Sequence, residues 1–169
     1  LTAITSEEEK KAKECALNFL TYRQRSFKEL SDRLRVKGYK DATIKVVLQH
    51  LSELNLINDR AFARSWAQAR TSHKPIGREL LSQELWQKGI APEIITEVCE
   101  SIFAERSEES LALALAHNKL KSYRNLDPIT RNRRLYSYLR RRGFSTEVIS
   151  QVIADIEGQV STFDIFNSV

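Results

Sequence analysis

Apolar residues recur along this chain at helical spacing, and the pattern repeats. Three glycines, Gly38, Gly89 and Gly143, each close a run with leucines four residues apart, and they stand 51 and then 54 residues from one another. Eight before them lie Leu30, Leu81 and Leu135; four before lie Leu34, Leu85 and Leu139; immediately before lie Lys37, Lys88 and Arg142. The matched positions continue beyond the glycines, with Tyr39, Ile90 and Phe144 next, then Ile44, Ile95 and Ile149, then Val47, Val98 and Val152, and finally Leu51, Ile102 and Ile156. Leucines at i and i+4 put one apolar stripe on a first helix, and the later positions put a matching stripe on a second. Glycine between them reads as a left-handed cap, free of the Cβ penalty at positive φ, with a basic residue suited to the helix's negative end.

A further helical pattern precedes each hairpin, over about Ser6 to Tyr22, Asn58 to Thr71 and Ser107 to Tyr123. Ser6, Asn58 or Asp59, and Ser107 are the expected N-caps, and glutamates follow the first and third. Phe62, Trp66 and Ala69 share a predicted core face. Pro75 and Pro92 suit loops or first turns, and Pro128 suits the start of the eighth helix. The predicted fold is all-α: three tandem three-helix repeats over residues 1–57, 58–106 and 107–157, with a tail at 158–169. Repeats too small to bury their own faces should stack, giving an elongated, curved helical-repeat body with an accessible concave surface.

Only 5 Gly and 3 Pro in 169 residues argue against collagen-like, low-complexity and turn-dense all-β folds. No apolar run approaches the ~18 residues of a membrane span, and the opening residues lack an apolar signal core. A cytoplasmic protein without a membrane partner is expected. The chain has no Met, even at position 1, so it is not expected to begin at its translational start. Cys15 and Cys99 lie among apolar helical neighbours and read as small core residues.

Charge sharpens the picture in the third repeat. The chain carries 27 Lys+Arg against 22 Asp+Glu, but residues 107–142 alone hold 9 basic and 3 acidic residues, a local excess of 6. Lys119, Lys121 and Arg124 lead into a helix bearing Arg133, Arg134, Arg140 and Arg141. With Leu135 and Leu139 facing the core, Arg133, Arg140 and Arg141 are expected to project outward, Arg134 at a flank and Tyr136 and Tyr138 at the margins. A cationic helix with aromatic neighbours suits nucleic-acid phosphates and bases, or an acidic protein groove; the bland alternative is a solvated face. In the middle repeat Arg70 and Arg78 flank an interhelical loop and are candidates to face a binding partner, with a C-terminal capping role at least as good a reading for Arg70. Trp86 is expected to pack between adjacent repeats, with an exposed anchor for a partner as the alternative reading, and Trp66 is expected in the core.

His50, His73 and His117 occur singly, and no zinc, P-loop or nucleophile-elbow motif is present. No catalytic residue, metal or cofactor is therefore expected.

The middle repeat carries the most specific string: Asp59, Phe62-Ala63, Arg70, Gly77, Glu84-Leu85 and Lys88-Gly89-Ile90. With the threefold layout, it resembles the RecX family of bacterial regulators of the RecA recombinase over about residues 6 to 157. The resemblance implies a modulator lying in the groove of a RecA filament on DNA, hindering ATP turnover and strand exchange in recombination and repair. It also implies direct contact with DNA, with single- or double-stranded DNA as a further candidate partner; the chain itself is expected to be a monomer. Arg70, Arg78 and Trp86 join the basic residues of the third repeat as candidate contacts to RecA or DNA. Two rival readings stay open: a sequence-tolerant DNA-binding module, and a helical adaptor for another protein. The apolar-aromatic Phe163-Asp164-Ile165-Phe166 has no assignment under the resemblance.

Overall fold

Polar caps define where the helices begin. Ser6 Oγ accepts from the Glu9 N–H at 3.1 Å while Glu9 returns a carboxylate to the Ser6 N–H, a reciprocal capping box. Ser26, Asn58, Ser107 and Asp127 each accept from the backbone N–H three residues on, and Pro92 and Pro128 occupy first helical positions. Each cap satisfies a donor that the first turn leaves without an intrahelical partner. The structure is a computed structural model that describes residues 6–166. Nine helices and no strand lie among the described residues: α1 (Glu7–Tyr22), α2 (Phe27–Val36), α3 (Asp41–Glu53), α4 (Asp59–His73), α5 (Arg78–Gln87), α6 (Pro92–Glu105), α7 (Glu108–Leu120), α8 (Pro128–Arg141) and α9 (Thr146–Phe166).

The three glycines take φ of 90°, 78° and 79°, in the left-handed region expected of caps. At each, the glycine N–H and the one after it fold back onto the preceding helix: Gly38 to Arg35 and Tyr39 to Leu34, Gly89 to Trp86 and Ile90 to Leu85, Gly143 to Arg140 and Phe144 to Leu139. These are Schellman closures that occupy otherwise orphaned carbonyls. Asn55, at φ 59°, ends α3 in the same way, with no glycine in the sequence to signal it. Asparagine enters this region more readily than most residues because its short polar side chain bonds locally, and Asn55 Oδ1 accepts from Asn58. All the repeated apolar positions are buried except Tyr39, which is half-buried.

The chain forms two compact units. One comprises the residues up to Trp66 with Glu84–Val98; the other comprises Ala67–Gln83 with the residues from Cys99 onward. Helices α4, α5 and α6 each contribute a part to both. In the first unit α1, α2 and α3 pack mutually around Ala12, Ala16, Leu30, Leu34, Ile44, Val47, Leu48, Leu51 and Ile57. In the second, α7, α8 and α9 pack mutually, burying Leu111, Ala112, Ala116, Leu135, Leu139, Phe144, Ile149 and Val152.

Several expectations require correction. Helix α7 ends at Leu120, before Tyr123, and the following residues turn toward Asp127. Ala69 is exposed rather than on the core face. Trp66 is half-buried, not fully core: it stacks on Phe62 at 5.9 Å and its indole N–H reaches Glu84 at 2.9 Å. Cys15 is half-buried rather than core, whereas Cys99 is buried as expected, and both are free thiols. Helix α9 runs through Gly158 to Phe166, whereas residues 167–169 and the side chains of Phe163, Asp164, Ile165 and Phe166 lie outside the described residues.

Candidate interaction surface

The basic helix α8 is anchored by Leu135 and Leu139, both 0% exposed, which turns the arginines just before and just after them outward. Arg133, Arg134, Arg140 and Arg141 are exposed, and Arg142 is half-buried. They are not equivalent. Arg140 is bound to Glu79 of α5 and donates to the Phe144 carbonyl at 3.1 Å, so it ties the helix to its own unit. Arg133, Arg134 and Arg141 form no ion pair among the described residues.

Helical spacing places Arg134, Tyr138 and Arg141 on one row, and α7 completes a cluster around it. Lys119 sits over the rings of Tyr123 and Tyr138, at 5.4 and 5.5 Å from their centroids, and the Arg142 guanidinium is 5.5 Å from that of Tyr138. Cations held against an aromatic ring keep their charge while losing conformational freedom. Lys121 and Arg124, in the turn after α7, are exposed. Most of the predicted cationic side chains of α7, α8 and the turn between them are thus brought together or presented outward; among the exposed arginines of α8, Arg140 is the one drawn into an ion pair.

The middle-repeat candidates separate. Arg70 is half-buried near the end of α4. Arg78 lies over Phe103 at 5.2 Å and beside Glu108, which also accepts the Arg78 backbone N–H at 2.9 Å; its work is local. Trp86, expected between repeats, is instead 64% exposed. It is the counterpart of Arg35 and Arg140, both exposed, and the helix geometry of that position prevails over the indole's preference for burial.

Three motif residues, Asp59, Gly77 and Lys88, act as docking elements, while Phe62, Ala63, Leu85 and Ile90 fill the core. In the first unit, Ser26 Oγ donates to the Lys88 carbonyl at 2.6 Å, Asp59 accepts the Phe27 N–H at 2.8 Å, and Lys88 Nζ reaches Glu29 while lying 4.7 Å from the Trp66 ring. In the second, the Gly77 N–H donates to the Arg142 carbonyl at 2.8 Å, and a Cβ on Gly77 would collide with the Gly143 carbonyl. Each unit therefore seats the start of one hairpin helix on the glycine cap of the next hairpin. Burial raises the carboxyl pKa values of Asp59 and Glu108 despite the backbone N–H each accepts. Glu29 is also penalised by burial, but hydrogen bonds from Arg23 and Lys88 outweigh this and lower its pKa.

A second cationic cluster has no counterpart among the sequence-predicted sites. Arg25 and Arg33 place their guanidinium carbons 5.7 and 5.4 Å from the Phe19 ring centroid, in an open cleft of about 490 Å³ that Arg23 and Lys37 also line. These residues are dispersed through a stretch of mixed charge, so no local run announces them. No group of three or more His, Cys, Asp or Glu residues poised to hold a metal occurs among the described residues, and no described helix is long and apolar enough to cross a membrane.

Fold and surface together define a tandem three-helix-repeat protein whose outward chemistry is cationic. Family models for the first, second and third three-helix domains of RecX match residues 12–51, 58–98 and 107–153 in order, and the chain belongs to the RecX family. It is 34% identical to the regulatory protein RecX of Amycolatopsis mediterranei (strain U-32), over 88% of this chain and 85% of that one. It is 36% identical to that of Mycobacterium avium (strain 104), over 86% and 84% respectively. The crystal structure of RecX from Lactobacillus salivarius shares the fold, with a TM-score of 0.80 at 24% identity over 90% of this chain and 99% of that one.

Proposed function

We propose that this chain binds the RecA filament on DNA and restrains its ATP turnover and strand exchange, acting as a cytoplasmic monomer without a cofactor or catalytic activity of its own. The observation that carries the reading is the ordered match of all three RecX domains to relatives named as regulatory proteins. The exposed, unpaired Arg133, Arg134 and Arg141 support an electrostatic mode of attachment, because their guanidinium forks remain available for phosphates or carboxylates. Binding across filament subunits would oppose the movements that accompany ATP turnover, so the regulator needs no reactive group.

The Lys119–Tyr138–Arg142 cluster favours a second element in the same reading, direct contact with DNA in the filament, since cations on aromatic rings suit phosphates and stacked bases. The test is to titrate the purified chain into RecA-catalysed strand exchange while following ATP hydrolysis. Both rates should fall together, and the chain alone should hydrolyse no nucleotide. Unchanged rates at saturating chain would overturn the proposal.

A further inference from the structure

The first unit holds a cationic cleft far in sequence from the basic helix, and its construction differs from a solvated face. Arg25 is only 8% exposed, yet its sole hydrogen bond among the described residues is from Nε to the Phe19 carbonyl, at 3.2 Å. No buried side-chain nitrogen or oxygen lacks a partner among the described residues, so the terminal nitrogens of Arg25 are the part that reaches solvent. Arg25 and Arg33 both rest on Phe19, and neither forms an ion pair among the described residues. A buried arginine without a direct ion pair is costly, and Arg23 and Arg33 add repulsion to its desolvation, which the nearby charge of Glu29 offsets only in part.

Neither carboxylate in the cleft pairs directly with Arg25 or Arg33. Glu29 is gripped by both terminal nitrogens of Arg23, at 2.9 and 3.2 Å, and by Lys88. Asp32 is engaged by Lys28 and Arg35. Arg25, Arg33 and Lys37 remain as three cations that line one opening, with Arg25 and Arg33 both over the Phe19 ring. The last turn of α2 carries partial negative charge, so the attraction comes from these side chains rather than from the helix end.

We propose that this cleft binds a phosphate group through Arg25, Arg33 and Lys37. A carboxylate offers two coplanar oxygens, both of which a single guanidinium fork can engage, as the Arg23 fork does on Glu29 alongside Lys88, whereas a phosphate's several oxygens match donors approaching from a loop and from the end of α2. The phosphate can belong to a nucleic-acid strand or to a small phosphate compound. The site is independent of the RecA reading, because neither its geometry nor its test involves RecA.

The test is an NMR titration of the isotope-labelled full chain, without RecA, using pyrophosphate in one arm and oligothymidylate in the other. The Arg25 and Arg33 Nε–H signals should move. Movement in both arms identifies a general phosphate site, and movement with oligothymidylate alone identifies a strand-backbone site. In Arg33→Gln/Lys37→Gln, whose altered side chains are exposed, the Arg25 signal should require about tenfold more probe or greater, with an unchanged melting temperature. Static Arg25 and Arg33 signals in both arms, an unaltered Arg25 response in the double variant, or a larger response to polyglutamate would overturn the proposal.

Discussion

Gly38 and Gly143 share a backbone conformation but not surroundings, and this separates two costs that a glycine substitution usually mixes. A Cβ on Gly38 meets nothing within 4 Å, whereas one on Gly143 would strike the backbone nitrogen and Cβ of Leu80. Gly38→Ala should therefore cost about 1–2 kcal/mol from positive φ alone, and Gly143→Ala about 1–3 kcal/mol more from overpacking. Urea unfolding of both variants checks this; equal destabilisation would contradict it. The caps were legible because glycine, leucine and basic residues recur in register, but the contact with Leu80 comes from a distant segment that spacing does not reveal. Trp86 was misread because its type suggests burial while its position, shared with Arg35 and Arg140, faces outward. Trp86→Ala should change stability by no more than about 0.5 kcal/mol under the same urea unfolding.

The start of α2 shows how an element is held at both levels. Ser26 Oγ accepts from the Glu29 N–H and donates to the Lys88 carbonyl, so Ser26→Ala should cost about 1–2 kcal/mol by thermal or urea unfolding. At α5 the corresponding place is Gly77, which docks through its backbone N–H instead. The chain thus repeats a junction without repeating the residue, which is why apolar periodicity disclosed the helices but not their seating. Glu29 makes the first junction pH-sensitive. Its lowered folded pKa means that its contribution is present above the unfolded value of about 4.3 and is lost as pH falls through the folded value. Glu29→Gln should flatten the acid side of the stability profile, measured by urea unfolding across pH. Asp59 has the opposite sign: its raised pKa makes the folded state gain stability as pH falls from the folded toward the unfolded value.

Across the molecule, the threefold helical plan was visible in the sequence because the same apolar registers recur around three glycines, and the family motif combines core residues such as Phe62 and Leu85 with Asp59, Gly77 and Lys88 at the docking junctions. The basic helix showed itself through a local excess of charge. Arg140, tied to Glu79, could not be told from Arg133, Arg134 and Arg141, because ion pairing depends on segments brought together only by folding. The proposed attachment to the filament rests on those three unpaired arginines. They can be changed without opening a cavity, so Arg133→Glu/Arg134→Glu/Arg141→Glu should fold and melt as the native chain does. The most direct measurement is inhibition of RecA-catalysed strand exchange by this triple variant beside the native chain, across a salt series. Inhibition weakened about tenfold or more is predicted, with a shallower salt dependence than the native chain; where DNA phosphates are the partner, the slope should shrink by roughly 0.7 to 0.9 for each arginine–phosphate pairing removed. Full inhibition by the folded triple variant, with an unchanged salt slope, would contradict the account.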